Sequence, residues 1–138
     1  MTYTYTKDDI KTRLQAYLKK TGKELPQAQI ESFVKNAEKL GLYYVTMMHC
    51  RSEVDVLRRY RGKISDYYLQ DLLSLKSNRE MLKRAFTRLT EDFSISAKHY
   101  TGIDEEAQQE ILGFPYRISK EVFQEMNRAN GFFREMGV

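Results

Sequence analysis

The chain has 138 residues, of which 41% are hydrophobic and 30% charged, and its 23 Lys and Arg against 19 Asp and Glu give a net charge of +4. This composition argues against a disordered chain, and the length predicts one domain with a substantial core. No run approaches the roughly 18 apolar residues of a membrane span, and the first residues lack the basic region and apolar run of a secretory signal. The single cysteine, Cys50, cannot form an internal disulfide, so we expect a reducing, cytoplasmic location.

The first forty residues predict an arm and two helices. Residues 1–6 alternate polar and aromatic side chains, and we expect an arm or a strand-like tail there. Thr6 is placed to cap a helix over residues 7–20. Pro26 fits the first turn of a second helix, whose apolar residues keep a 3.6-residue period up to Gly41.

Residues 42–60 are open to two interpretations. The aromatic and β-branched residues at the start of this segment favour a strand, but no partner strand is evident in the sequence. Apolar side chains three and four residues apart instead favour one continuous helix, which is the prediction made here. These side chains are Met47, Cys50, Val54 and Leu57.

A tight helix-turn-helix corner is predicted near residues 65–91. Ser65 is placed to cap its first helix. Ser77, with Glu80 three residues later, has the spacing of a capping box, which predicts that the second helix begins at Asn78. Apolar side chains on this second helix share one face and must be buried. They are Leu82, Ala85, Phe86, Leu89 and Phe93.

The C-terminal third predicts two more helices. Asp104 is placed to cap a short helix that has acidic residues in its first turn. Pro115 must end that helix, and Ser119 is placed to cap the last one. The predicted fold is therefore all-α, a single domain over residues 1–138 built as a compact bundle of six to seven helices.

Positive charge is concentrated in the middle of the chain. Residues 51–88 carry ten Lys and Arg against five Asp and Glu, whereas residues 89–138 carry five against nine. Such a distribution predicts either an anionic partner for the basic part or association between oppositely charged faces of two copies.

Nucleic acid is the anionic partner that fits the central residues best. Guanidinium groups match the geometry of phosphates, and the nearby Tyr60, Tyr67 and Tyr68 could stack on unpaired bases. If the corner binds DNA, the helix from Asn78 would be the recognition helix. The predicted nucleic-acid-binding residues are Arg58, Arg59, Arg61, Lys63, Lys76, Arg79 and Lys83.

A solvated helix face is the competing interpretation of the same charges. Glu80 lies one turn before Arg84, and Arg51 lies one turn before Asp55, so these side chains are placed to pair along their own helices. Basic side chains that pair with acidic side chains of the same helix would need no binding partner.

Signals for catalysis and for cofactors are weak. His49 and Cys50 are adjacent, but neighbours on a helix point about 100° apart, so this pair is poorly placed for nucleophilic catalysis. Cys50 is therefore predicted to be a small buried hydrophobe. The sequence has no paired-cysteine zinc spacing and no complete phosphate-binding or dinucleotide motif. We expect no catalytic residue, metal or cofactor.

The function predicted from the sequence is non-catalytic binding. The leading hypothesis is a small regulatory or accessory protein that engages nucleic acid through its basic central surface. The alternative is a protein-interaction or self-assembling bundle, with no membrane contact, that uses its acidic and aromatic C-terminal region. The predicted protein-interface residues are Phe132, Phe133 and Met136, because aromatic residues and Met supply adaptable contact area.

Overall fold

The computed structural model describes residues 6–113, and all regular structure in that range is helical. The all-α prediction, a helical bundle with a tight corner inside residues 65–91, is confirmed. Residues 1–5 of the predicted arm and the predicted C-terminal helix after Ser119 lie outside the described residues. The six helices of this range are α1 (Lys7–Thr21), α2 (Gln27–His49), α3 (Glu53–Tyr60), α4 (Asp66–Ser77), α5 (Arg79–Thr101) and α6 (Glu105–Leu112).

Three predicted helix caps are present, and each satisfies a first-turn amide that has no partner within its helix. Thr6 Oγ1 accepts a hydrogen bond from the backbone N–H of Asp9 at 3.3 Å. Ser65 Oγ caps α4 in the same way at 3.4 Å. Asp104 Oδ1 caps α6 at 2.9 Å. These helices therefore begin where the sequence predicts.

The prediction of one helix over residues 42–60 is wrong. Helix α2 continues through the buried Gly41 and ends at His49. Helix α3 begins after Ser52, whose Oγ accepts from the N–H of Asp55 at 3.3 Å. The break resets the helical register, so Val54 is 61% exposed and Val56 is fully buried.

The cap at the corner is Asn78, not Ser77. Asn78 Oδ1 accepts a hydrogen bond from the N–H of Met81 at 3.2 Å, and α5 begins at the next residue, Arg79. Ser77 is the last residue of α4, and its single hydroxyl proton is shared between the carbonyl of Leu73, at 3.0 Å, and the carboxylate of Glu53. The capping-box prediction for Ser77 and Glu80 is therefore wrong. Only Asn78 separates the two helices.

The described residues fall into two compact units whose boundaries lie within α2 and α5. Residues 6–42 and 89–113, here called the acidic unit, carry nine Lys and Arg against eleven Asp and Glu. Residues 43–88, here called the basic unit, carry ten against five and have a net charge of +5. The single-domain organisation of the whole chain stays a prediction.

The acidic unit is held by apolar packing and by one arginine clamp. The rings of Phe33 on α2 and Phe93 on α5 lie 5.2 Å apart between centroids. Arg13 on α1 donates from Nε to the carbonyl of Ile111 at 2.6 Å and from Nη2 to that of Leu112 at 3.0 Å. These carbonyls end α6 and lack intrahelical partners, so the guanidinium fixes α6 against α1.

The basic unit packs α3 against α4 around a core that also receives the last residues of α2 and the first half of α5. Tyr44 and Phe86 contact each other with centroids 6.1 Å apart. The Tyr43 hydroxyl donates to Asp71 Oδ2 at 2.7 Å, which ties α2 to α4. Further buried side chains of this unit are Val56, Tyr60, Leu69, Leu72 and Leu82.

Candidate polyanion-binding site

A polar cavity of about 540 Å³ opens in the basic unit beside the junction of α4 and α5. Three of the seven lining residues carry positive charge and one carries negative charge. We call it the corner cavity, and it is lined by Arg51, Ser52, Glu53, Lys76, Ser77, Asn78 and Arg79. Lys76 and Arg79 are the two residues of this cavity that the sequence predicts as nucleic-acid-binding.

Capping bonds position the wall of the corner cavity formed by α3. Ser52 caps this helix, and the Asp55 carboxylate accepts the backbone N–H of Arg51 at 2.9 Å. Glu53 accepts a hydrogen bond from the Ser77 hydroxyl, which joins the start of α3 to the end of α4. This contact brings Arg51 to the same cavity as Lys76.

Lys76 lies in the last turn of α4 and is only 4% exposed. Lysine is almost never buried to this extent unless its charge is compensated. The end of α4 contributes partial negative charge from its terminal carbonyls, which favours a cation there. Lys76 therefore lines the corner cavity, and its side chain is not exposed on the outer surface.

Asn78 and Arg79 also line the corner cavity, at the start of α5. The Asn78 side-chain oxygen is engaged in the cap, and Arg79 is partly buried. A DNA-binding helix-turn-helix has a turn of about three to four residues and directs the start of its second helix into the groove. A junction of one residue, with its polar side chains lining a cavity, does not favour that mode of binding.

The basic residues at the end of α3 have different environments. Arg58 lies 3.8 Å from Asp55, and its side chain is 77% exposed. Arg59 is partly buried. Burial lowers the pKa of His49, and the charge of Arg59 lowers it further. Burial raises the pKa of Cys50, and the charge and hydrogen bond of Arg59 oppose this rise. Arg61 and Lys63 are exposed on either side of Gly62, where the backbone has a φ of +79° that favours glycine.

We call Arg58, Arg61 and Lys63 the basic patch, because all three are exposed and lie within six residues of one another. Lys83, on α5, is partly buried. Arg84 forms the predicted pair along the helix with Glu80 at 4.0 Å. Exposed pairs of this kind contribute little to stability, roughly 0.3–0.5 kcal/mol, and leave the arginine accessible to another anion.

The three tyrosines predicted to stack on bases differ in exposure. Tyr60 is 1% exposed and belongs to the core of the basic unit, so it is unavailable for stacking. Tyr67 is 81% exposed, and its ring meets that of Tyr68 edge to face with centroids 5.9 Å apart. Tyr67 is therefore the aromatic side chain of this region that a base could reach.

Cys50 has the environment of a structural thiol. The side chain is fully buried, and burial raises the pKa of the thiol, although the positive charges of Arg59 and Lys76 act in the opposite direction. Burial lowers the pKa of the neighbouring His49, and the charge of Arg59 adds to this effect. The prediction that Cys50 is buried is confirmed.

Sequence reasoning identified Lys76 and Arg79 from charge alone but missed Arg51 and Glu53. The Ser52-to-Asp55 spacing is itself a cap signal, and it would have placed both missed residues at the start of a new helix. Their proximity to Lys76 depends on the packing of α3 against α4, which no local pattern encodes.

No protein-family model, curated protein or solved structure matches this chain. Among residues 6–113, no group of three or more His, Cys, Asp or Glu side chains is arranged to hold a metal ion. No helix within the same range is long and apolar enough to cross a membrane. The predicted interface residues Phe132, Phe133 and Met136 lie outside the described residues.

Proposed function

We propose that this protein is a non-catalytic accessory protein that binds nucleic acid through the phosphate backbone, using the basic unit. The observation that carries the proposal is the segregation of charge between the two units. The basic unit has a net charge of +5, whereas the acidic unit has a net charge of −2. Concentrated positive charge on one compact unit attracts polyanions, and this attraction is the main source of sequence-independent nucleic-acid binding.

The basic patch supplies the first contacts in this proposal. Arg58, Arg61 and Lys63 are exposed, so binding a phosphate would not require breaking the core. An arginine can donate two parallel hydrogen bonds to one phosphate, and a lysine acts as a point charge. The contact between Arg58 and Asp55 at 3.8 Å is solvent-exposed and weak enough to be exchanged.

Tyr67 favours unpaired strands over duplexes. Its ring is exposed in the first turn of α4, four residues after Lys63. Stacking of a base on an aromatic side chain contributes roughly 1–3 kcal/mol and tolerates any sequence. Sequence-tolerant binding of single strands combines basic side chains that contact the phosphates with aromatic rings on which bases stack. The one-residue junction at Asn78, in contrast, does not favour readout of a duplex groove.

Fluorescence anisotropy with labelled single-stranded DNA, single-stranded RNA and duplex DNA tests the proposal. The variant replaces the three residues of the basic patch by alanine. The matched control replaces three exposed lysines of the acidic unit, Lys11, Lys19 and Lys35, so that both variants lose three positive charges. Urea midpoints of all three proteins establish that each is folded.

The basic-patch variant should bind single strands roughly 100-fold more weakly at 0.1 M salt. Each phosphate contact contributes about 0.7 to the slope of log K against log salt, which amounts to about fivefold per contact between 1 M and 0.1 M salt. The control should bind within about threefold of the wild type. Equal losses in both variants would mean that net charge alone acts, and no loss in either would overturn the proposal.

A further inference from the structure

We propose that the corner cavity binds a phosphate monoester, and that its source is the terminal phosphate of a nucleic-acid strand. This inference rests on the proposed function, which it deepens by naming the chemical group that the cavity recognises. The basic patch would hold the strand through its internal phosphates. The corner cavity would hold the end of the strand.

The charges that line the corner cavity match a dianion. Arg51, Lys76 and Arg79 contribute three positive charges, and Glu53 contributes one negative charge, so the lining sums to +2. A phosphate monoester carries about −1.5 to −2 charges near neutral pH and offers three strong acceptor oxygens. An internal phosphodiester carries a single charge and offers two such oxygens. The lining therefore complements a strand end better than an internal position.

The position of Lys76 strengthens charge recognition in the cavity. Its side chain is 96% removed from solvent, since only 4% is exposed. Water screens a buried charge less than an exposed one, so Lys76 attracts an anion in the cavity although protein covers its own ammonium group. Exposed Arg51 and partly buried Arg79 can close on an anion from the mouth of the cavity, with planar donor groups suited to phosphate oxygens.

Two helix starts add to the positive potential of this lining, whereas the C-terminal end of α4, at Lys76 and Ser77, lowers it. Ser52 and Glu53 open α3, and Asn78 and Arg79 open α5, so partial positive charge from both first turns lies at the cavity wall. The Glu53 carboxylate opposes an anion, but it already accepts a hydrogen bond from the Ser77 hydroxyl at the α4 side of the wall.

Geometry also favours a strand end. An internal phosphate has a nucleoside on both sides, so two attachments would have to be accommodated at the edge of the cavity. A terminal phosphate has only one attachment, so it can enter a cavity of about 540 Å³ while the rest of the strand stays outside.

The test compares oligonucleotides of one sequence that carry a 5′-phosphate, a 3′-phosphate or no terminal phosphate, by fluorescence anisotropy with the full chain. We expect at least one phosphorylated form to bind the wild type about tenfold more tightly than the form without a terminal phosphate, because a hydrogen-bonded charged group typically contributes about that factor. The variant Arg51→Gln with Arg79→Gln should bind all three forms equally. The basic-patch variant should weaken all forms and keep the ratio.

Equal affinity of the wild type for all three oligonucleotides would overturn this inference and leave the proposed function standing. No affinity for any of them would overturn the proposed function itself. Millimolar inorganic phosphate should compete for the cavity of the wild type and reduce to one the ratio of its affinities for the phosphorylated and unphosphorylated oligonucleotides. This measurement needs no variant, so it tests the inference even if the double variant fails to fold. A third result is that the wild type binds phosphorylated and unphosphorylated oligonucleotides equally, while inorganic phosphate raises its urea midpoint. The cavity would then bind free phosphate, and this result would overturn the strand end as the source of the phosphate.

Discussion

The two valines of α3 offer a matched pair of substitutions that tests the register of this helix. Val54 is 61% exposed and Val56 is fully buried, although they are two residues apart in the same eight-residue helix. A continuous helix over residues 42–60 would instead bury Val54, as the apolar spacing in the sequence predicts. Replacing each valine by alanine therefore distinguishes the two registers.

The expected costs follow from burial. Val56→Ala removes two buried methyl groups at about 0.8 kcal/mol each, and the cavity that remains raises the loss to about 2–3 kcal/mol. The higher helix propensity of alanine returns up to about 0.5 kcal/mol. The net loss should be about 2 kcal/mol. Val54→Ala removes little buried surface and gains the same propensity, so the free energy of unfolding should stay equal or rise slightly.

Urea unfolding followed by circular dichroism measures both effects. With a slope of about 2 kcal/mol per molar urea, Val56→Ala should lower the midpoint by about 1 M. Val54→Ala should leave the midpoint within about 0.2 M of the wild type, which makes it the internal control. A loss for Val54→Ala as large as that for Val56→Ala would contradict the break between α2 and α3.

Three further predictions concern single side chains. Asn78→Ala should lower the free energy of unfolding by about 1 kcal/mol through loss of the α5 cap, whereas Glu80→Ala, which removes the other half of the predicted capping box, should cost less than half as much in the same urea assay. Cys50 should react with a thiol reagent only as fast as the chain unfolds, because the thiol is buried and its pKa is raised; a fast reaction in native buffer would contradict this. The pKa of Tyr43 is raised, first by burial and then by its bond to Asp71, so its stabilising effect is complete below pH 10 and is lost as the pH rises further. Tyr43→Phe should therefore lose less stability than the wild type between pH 9 and 11.

Features that depend on a few neighbouring residues could be predicted from the sequence. The caps at Thr6, Ser65 and Asp104 involve a side chain and an amide three residues later, and all three are present. The inward face of α5 was also predicted, since Leu82, Phe86 and Phe93 are buried. Helix periodicity and capping are local, so they need no knowledge of the fold.

The end of α2 was missed because two local signals compete there. The glycine at position 41 predicts a helix stop, but a glycine inside a helix costs only about 1 kcal/mol, and Leu40 and Leu42 on either side are buried. Beyond Gly41, the apolar period predicts a helix that runs across Ser52, although Ser52 and Asp55 have the spacing of a cap. Which of these local signals prevails depends on which side chains are buried in the folded protein, and local sequence patterns do not show this.

The candidate site could be predicted only in part. Its charge was visible, because Lys76 and Arg79 stand in a basic stretch of the sequence. The burial of Lys76 could not be predicted, since lysine is usually exposed. The convergence of Arg51 with these residues arises from packing between α3 and α4, more than twenty positions apart in the chain.

The salt dependence of single-strand binding tests the proposed role of the basic unit most directly. Between 50 and 400 mM salt, log K for the wild type should fall with a slope of about −2.8 to −3.5, as expected for about four or five phosphate contacts, and the basic-patch variant should have a slope shallower by about 2. A wild-type slope near zero, or an unchanged slope in that variant, would contradict phosphate binding by Arg58, Arg61 and Lys63.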